Sequence, residues 1–156
     1  MIEDESKYLT GKAVRRAEIV RLTRAWLGTP YHHQASVRGV GADCLGLLRG
    51  VWRDVYGRDA ELPPAYTRDW AEAHGREELM AGAARHLKPV AVAEMRPGDV
   101  LIFRLRGTAP AKHVGLLATE TNFIHAVEGA PACEVALQGW WRRRLAAVFT
   151  FPGVCD

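Results

Sequence analysis

The sequence predicts an α+β fold in which N-terminal helices, one of them carrying Cys44, pack on a C-terminal antiparallel β-sheet. Three observations lead there. Apolar residues recur at a three-to-four-residue step in the first half, short β-prone runs replace them from residue 98 onward, and turn chemistry separates each of those runs from the next. With 156 residues, 48% hydrophobic and 25% charged, the chain has material for one core and not for two. Residues 1–156 therefore read as a single domain, with 1–12 as a flexible N-terminal segment.

From Ala13 to Leu27, Val14, Ala17, Val20, Ala25 and Trp26 mostly keep helical spacing, while Arg15, Arg16, Arg21 and Arg24 take the other side. Gly28 and Pro30 end this amphipathic helix. The stretch "TPYHHQASVRGVGA" reads as a loop by its glycine and polar content. A second helix runs from about Asp43 to Tyr56, turns Leu47, Leu48, Val51, Trp52 and Val55 inward, and stops at Gly57. Residues 58–76, with Pro63 and Pro64, read as irregular, and "EELMAGAARHL" (77–87) as a short third helix. The strands follow: "GDVLIFRL" (98–105), "HVGLLA" (113–118), "NFIHAV" (122–127), "CEVAL" (133–137) and "LAAVFTF" (145–151). No internal repeat, low-complexity tract or linker interrupts them.

Composition narrows the function classes. The net charge is +3, but the arginines occur in pairs and triples such as Arg142 to Arg144 with acids between, and no basic stripe interleaved with aromatics argues for nucleic acid. A mildly basic surface suits an anionic polymer without naming one. Cys44, Cys133 and Cys155 cannot close a disulfide set and have no metal-ligand spacing, which points to a reducing folding compartment. The opening "MIEDESKYLTGK" lacks the basic and apolar regions of a signal peptide, and no run approaches the roughly twenty apolar residues of a spanning helix. Synthesis as a soluble cytoplasmic chain without membrane insertion is the expectation.

The chemistry centres on "GADCLGLLRG" (41–50). A cysteine on an apolar-flanked helix is by itself an ordinary small core residue, and Asp43 has an ordinary role as N-cap. Yet a helix amino terminus with a nearby His⁺ can pull a thiol from about 8.5 into the range of roughly 3.5–7.5. The segment "KHVGLLATETNFIHA" supplies two imidazoles. If Thr119 to Thr121 form a three-residue loop, Ala118 pairs with Asn122 and the histidines lie diagonally on one face, Cα atoms about 7–8 Å apart; an even-length loop would put one on the wrong face. Proton bookkeeping then makes Cys44 the nucleophile, His113 the base and His125 the group that orients it. A metal reading lacks a fourth ligand, and no cofactor is implied.

In order along the chain, "WLGTPY", "DCLGL", "RPGDVLIF" and "HVGLLATETNFIHA" resemble the NlpC-type superfamily of cell-wall cysteine peptidases, over roughly residues 15–150. "WLGTPYHHQASVRGVGADCLGLLRGVW" further resembles the branch found with phage tails and gene transfer agents. The resemblance implies a reduced papain-like fold and hydrolysis of amide bonds in peptidoglycan stem peptides, commonly at the D-γ-glutamyl bond to a diamino acid. It implies Cys44 as nucleophile, His113 as base and His125 as third polar residue. It also implies Tyr31 as an oxyanion donor and Asp43 as a contact for the substrate's free amine, beside the plainer readings of a half-buried aromatic and a helix cap. Asp99 is a turn residue on either reading. Two departures stand out: Leu45 replaces the serine many members have after the cysteine, and "HHQAS" replaces a glycine pair, so His32 and His33 either line the pocket or are simply exposed. The missing signal peptide together with the branch resemblance implies delivery at a particle tail, with phage or gene-transfer-agent tail proteins as partners. The rival reading is a structural tail component with a vestigial peptidase fold, and an acyltransferase differs from the hydrolase only in the final acceptor.

Overall fold

The computed structural model describes residues 13–61 and 77–156. The anticipated flexible segment 1–12 and most of the irregular stretch 58–76 lie outside the described residues. The chain order is β1 (Val14–Arg15), α1 (Arg16–Arg24), β2 (Ser36–Val37), β3 (Gly41–Ala42), α2 (Cys44–Tyr56), α3 (Glu78–His86) and β4 (Lys88–Val90), then β5 (Val100–Phe103), β6 (His113–Leu117), β7 (Asn122–His125), β8 (Cys133–Ala136), α4 (Gly139–Arg144), β9 (Leu145–Thr150) and β10 (Val154–Cys155). This is the expected α+β arrangement. The main sheet has the order β4-β9-β5-β6-β7-β8, and each neighbouring pair is antiparallel.

Strand alternation divides the sheet into two faces. Val100 and Ile102 of β5, with Val114, Leu116 and Ile124, meet the helix residues Ile19, Leu47 and Val51 in one cluster. Leu101 and Phe103, with Leu117, Phe123 and Val148, form a second cluster on the opposite face, joined by the half-buried Trp141. β5 is buried along its whole length because both its faces are covered. Asp99, fully buried before it, accepts from the Arg96 backbone N–H at 2.9 Å and from Arg16 Nη1 at 2.7 Å, so the expected turn residue also pins α1 to the sheet.

Helix boundaries moved where tertiary pairing competes with periodicity. Val14 and Arg15 leave the expected first helix to pair in parallel with Val154 and Cys155. Its other end stops at Arg24, and Trp26 turns under α2 with Nε1 donating to Asp54 at 2.9 Å. The Trp26 ring lies so close to Gly50 that a Cβ there would come 2.0 Å from Cζ2. The second helix matches its expected span, with Asp43 as the cap and Gly57 left-handed at φ 79°. The short pair β2–β3 forms inside the expected loop, β4 adds an edge strand whose Pro89 needs no ladder donor, and α4 forms where no element was expected. Among the described residues no helix is long and apolar enough to cross a membrane.

The Trp26–Gly50 approach gives a direct test of packing. Gly50→Ala is expected to lower stability in urea unfolding by about 1–3 kcal/mol through overpacking, with an unchanged m-value. An unchanged midpoint would show that the ring moves aside freely.

Candidate active site

The site is built from the start of α2. Asp43 has extended backbone, and its carboxylate is buried. Oδ1 accepts the Gly46 N–H at 2.7 Å and Oδ2 the Gln34 N–H at 2.7 Å, while the Asp43 N–H donates to the Ala35 carbonyl at 3.3 Å. Ser36 Oγ donates to the Gly46 carbonyl at 2.6 Å, wrapping the loop around the first helical turn. Residue 46 must be glycine for this wrap: a Cβ would lie 1.8 Å from the Ala35 oxygen. The expected N-cap role of Asp43 is therefore observed in full.

The next residue presents its sulfur to β6. Cys44 Sγ lies 3.9 Å from the Lys112 carbonyl oxygen, and the backbone N–H groups of Val114, Leu45 and Cys44 itself point at it. Lys112 and Val114 flank His113, so the thiol lies against the backbone on both sides of that histidine. The charge state differs from the sequence expectation. Burial first, and the Asp43 carboxylate second, push the thiol up to about 12, and the three N–H groups do not overcome them.

The two histidines meet as the three-residue loop requires. Ala118 N–H donates to the Asn122 carbonyl at 2.8 Å, Leu117 faces Phe123, and Leu116 faces Ile124. His113 Nε2 and His125 Nδ1 are 2.9 Å apart, sharing one proton, which leaves Nδ1 of His113 as the nitrogen outside that contact. Both rings are buried. Burial, then the His125 and Lys112 charges, lower His113 to about 3, and burial lowers His125 to about 4. At neutral pH the thiol and both imidazoles therefore rest uncharged.

One residue of this site was not found in the sequence. Trp141 of α4 covers the histidine pair, 5.2 Å from the His113 ring at 32° and 4.8 Å from His125 at 82°, and it closes an aromatic wall with Phe103 and Phe123. The "GWWRRR" run carries no periodicity that would have placed it over the sheet. Among the remaining candidates, Tyr31 is half-buried and its backbone bridges Ala42, two residues before the thiol. His32 is exposed, and His33 Nδ1 is 3.8 Å from Asp43 Oδ2. Leu45 packs against the helix-side core. Cys133 pairs across the ladder with His125, and Cys155 is exposed; all three cysteines are free thiols. Among the described residues, no three His, Cys, Asp or Glu side chains converge as metal ligands would.

A helix-start thiol laid against a hairpin that carries an imidazole pair, on an antiparallel sheet, defines a reduced papain-like domain. The chain belongs to the NlpC/P60 family, whose profile matches residues 28–150 and whose members are cysteine peptidases and hydrolases. It is similar to the probable endopeptidase NlpC of Escherichia coli (strain K12), 28% identical over 103 residues, 66% of this chain and 56% of that protein. It is also similar to the gamma-DL-glutamyl hydrolase of Bacillus subtilis (strain 168), 23% identical over 87% of this chain and 29% of that protein. The chain thus spans about half or less of the length of these two relatives. Among solved structures, the NlpC/p60 domain of the peptidoglycan hydrolase SagA superposes with a TM-score of 0.66 at 21% identity, covering 88% of this chain and all of that one. A family member from Bacillus cereus ATCC 10987 superposes with a TM-score of 0.65 at 16% identity, covering 90% of this chain and 41% of that one.

Two outcomes follow from the neutral, dry site. Because burial keeps His113 neutral down to about 3, kcat/KM on a cleavable peptide is expected to stay flat through the ordinary imidazole value and to fall only below about pH 5; an acid limb at or above about 6.5 would instead show that burial does not lower the imidazole. Trp141→Ala admits water to both rings and should move that limb upward by roughly one unit, while Trp141→Phe restores most of the shift. A limb unmoved in Trp141→Ala would make the indole a packing residue only.

Proposed function

We propose that the chain is a peptidoglycan endopeptidase that cleaves stem-peptide amide bonds with Cys44 as nucleophile. The observation that carries this reading is the 2.9 Å link between His113 and His125 beside a thiol held at a helix start. As the sulfur attacks the carbonyl carbon, His113 accepts the thiol proton, so charge develops only along the reaction coordinate. The N–H groups at the start of α2 face the developing oxyanion, and the Tyr31 hydroxyl joins them; such a donor is typically worth about 10²–10³ in rate. His113 then gives its proton to the leaving amine, the acyl-enzyme forms, and a water deprotonated by His113 releases the acid. His125 holds the ring plane and tautomer of His113. Asp43 acts through the cap, since backbone N–H groups occupy both its oxygens.

The place of action is part of the same proposal. The resemblance of residues 26–52 to the tail-associated branch supports a domain carried at the tip of a phage or gene-transfer particle and applied to a recipient's wall from outside. Incubation with defined muropeptides, read by mass spectrometry, is expected to give products from the wild type, from Cys133→Ala and from Cys155→Ala, and none from Cys44→Ala. His113→Ala should be as inactive as Cys44→Ala, whereas His125→Asn should retain partial activity because an amide still orients a ring. Turnover by Cys44→Ala would sink the mechanism. Full entry by particles that carry Cys44→Ala would favour the structural reading of a tail component.

A further inference from the structure

Beyond Phe103, where β5 ends beside the start of β9, the sheet borders a basic cleft. β5 and β9 run in register from Val100–Phe149 to Ile102–Ala147, and then Phe103 pairs with Leu145, a bulge that leaves Ala146 as the extra residue. A bulge at a sheet end bends the strand and re-aims the side chains beside it. Here it borders a cleft of about 480 Å³ whose lining includes Arg104, Arg106, Arg143 and Arg144 and no acidic residue.

Two of these guanidinium groups are fixed before any ligand arrives. Arg104 donates to the Ala109 carbonyl at 2.7 Å and pairs with Glu77. Arg144 donates to the carbonyls of Leu105 at 3.3 Å and Trp140 at 3.0 Å, and it stacks 3.7 Å over the Trp140 ring. Neutral carbonyls and an indole hold the Arg144 cation without cancelling it, and Arg143 has no acidic partner among the described residues. A guanidinium held in place without an acid, as Arg144 is, makes the kind of donor that carboxylates match best, whereas Arg104 is already paired with Glu77.

The cleft adjoins the base. Phe103 pairs directly with His113, Arg104 follows Phe103, and Trp141 contacts both His113 and Trp140, on which Arg144 rests. During amide cleavage the leaving amine departs on the side of the group that protonates it. The leaving half of any peptide holds its C terminus, and a stem peptide whose diamino acid is dicarboxylic adds a further carboxylate. We infer that the cleft formed by Arg104, Arg106, Arg143 and Arg144 is a subsite for the carboxylates on the leaving-group half of the substrate. This rests on the peptidase reading and extends it to substrate charge.

The test separates the two. Cys44→Ala protein, which binds without turnover, is titrated calorimetrically with a stem tetrapeptide and with the same peptide amidated at its diamino-acid and terminal carboxylates. Amidation is expected to weaken binding about tenfold, and in Cys44→Ala with Arg106→Gln and Arg143→Gln that difference should collapse to under about twofold. Arg143→Gln alone, at an exposed position, guards against misfolding and should remove part of the difference. Equal affinity for both peptides, no binding of either, or discrimination that survives the arginine changes overturns the subsite. Inorganic polyphosphate that binds as tightly as the acidic peptide, with the same arginine dependence, reassigns the cleft to polyanions in general and overturns it as well. If wild type fails to cleave the peptide while discrimination persists, the peptidase reading falls and the carboxylate subsite stands.

Discussion

The buried carboxylate of Asp43 is the constraint on which the rest of the site depends. It receives one N–H from the helix it caps and one from the loop before it, so a single side chain ties the helix start to Gln34, nine residues earlier. Without it the first turn of α2 would expose its donors and the 33–36 loop would lose its anchor. That turn delivers Cys44 to β6, and the loop beside it fixes Tyr31 next to Ala42. Gly46 lets the loop press against the helix, and Ser36 and Arg53 close it from the other side.

Against this fixed thiol the chain sets a pair of imidazoles kept neutral by burial. Helix-terminal N–H groups favour a thiolate and burial disfavours it; here burial prevails, and burial likewise keeps the imidazoles in their neutral form. The aromatic wall of Phe103, Phe123 and Trp141 enforces this state, and it belongs to the second core, on the sheet face away from α1 and α2. Both hydrophobic clusters therefore border the site: one packs around Cys44, the other includes the aromatic wall over the histidines.

What was legible in the sequence was local or parity-bound. Asp43 and Gly57 mark both ends of α2 by capping chemistry, and the odd loop at 119–121 decides which strand residues share a face, so the histidine pair followed from counting. What was not legible needed distant partners. Val14 and Arg15 look helical until Val154 and Cys155 offer a ladder, and Trp141 is a featureless aromatic until α4 folds over the sheet. The thiol's charge state depends on what buries it, which spacing does not encode. The arginines, scattered between positions 104 and 144, gather only because β5 and β9 are neighbours.

The parallel pairing of Val14 with Val154 brings the two ends of the described fold to one edge, where the Val14 N–H donates to the Gly153 carbonyl at 3.0 Å. A fold that begins and finishes at the same point behaves as a closed loop in its host polypeptide. It can be spliced into a surface turn of another protein, or strung beside other modules, without stretching its own framework. The same closure makes the β1–β10 ladder a latch: pulling on the two ends in opposite directions loads those few hydrogen bonds first, so mechanical resistance is set at the rim, remote from the thiol and its histidines.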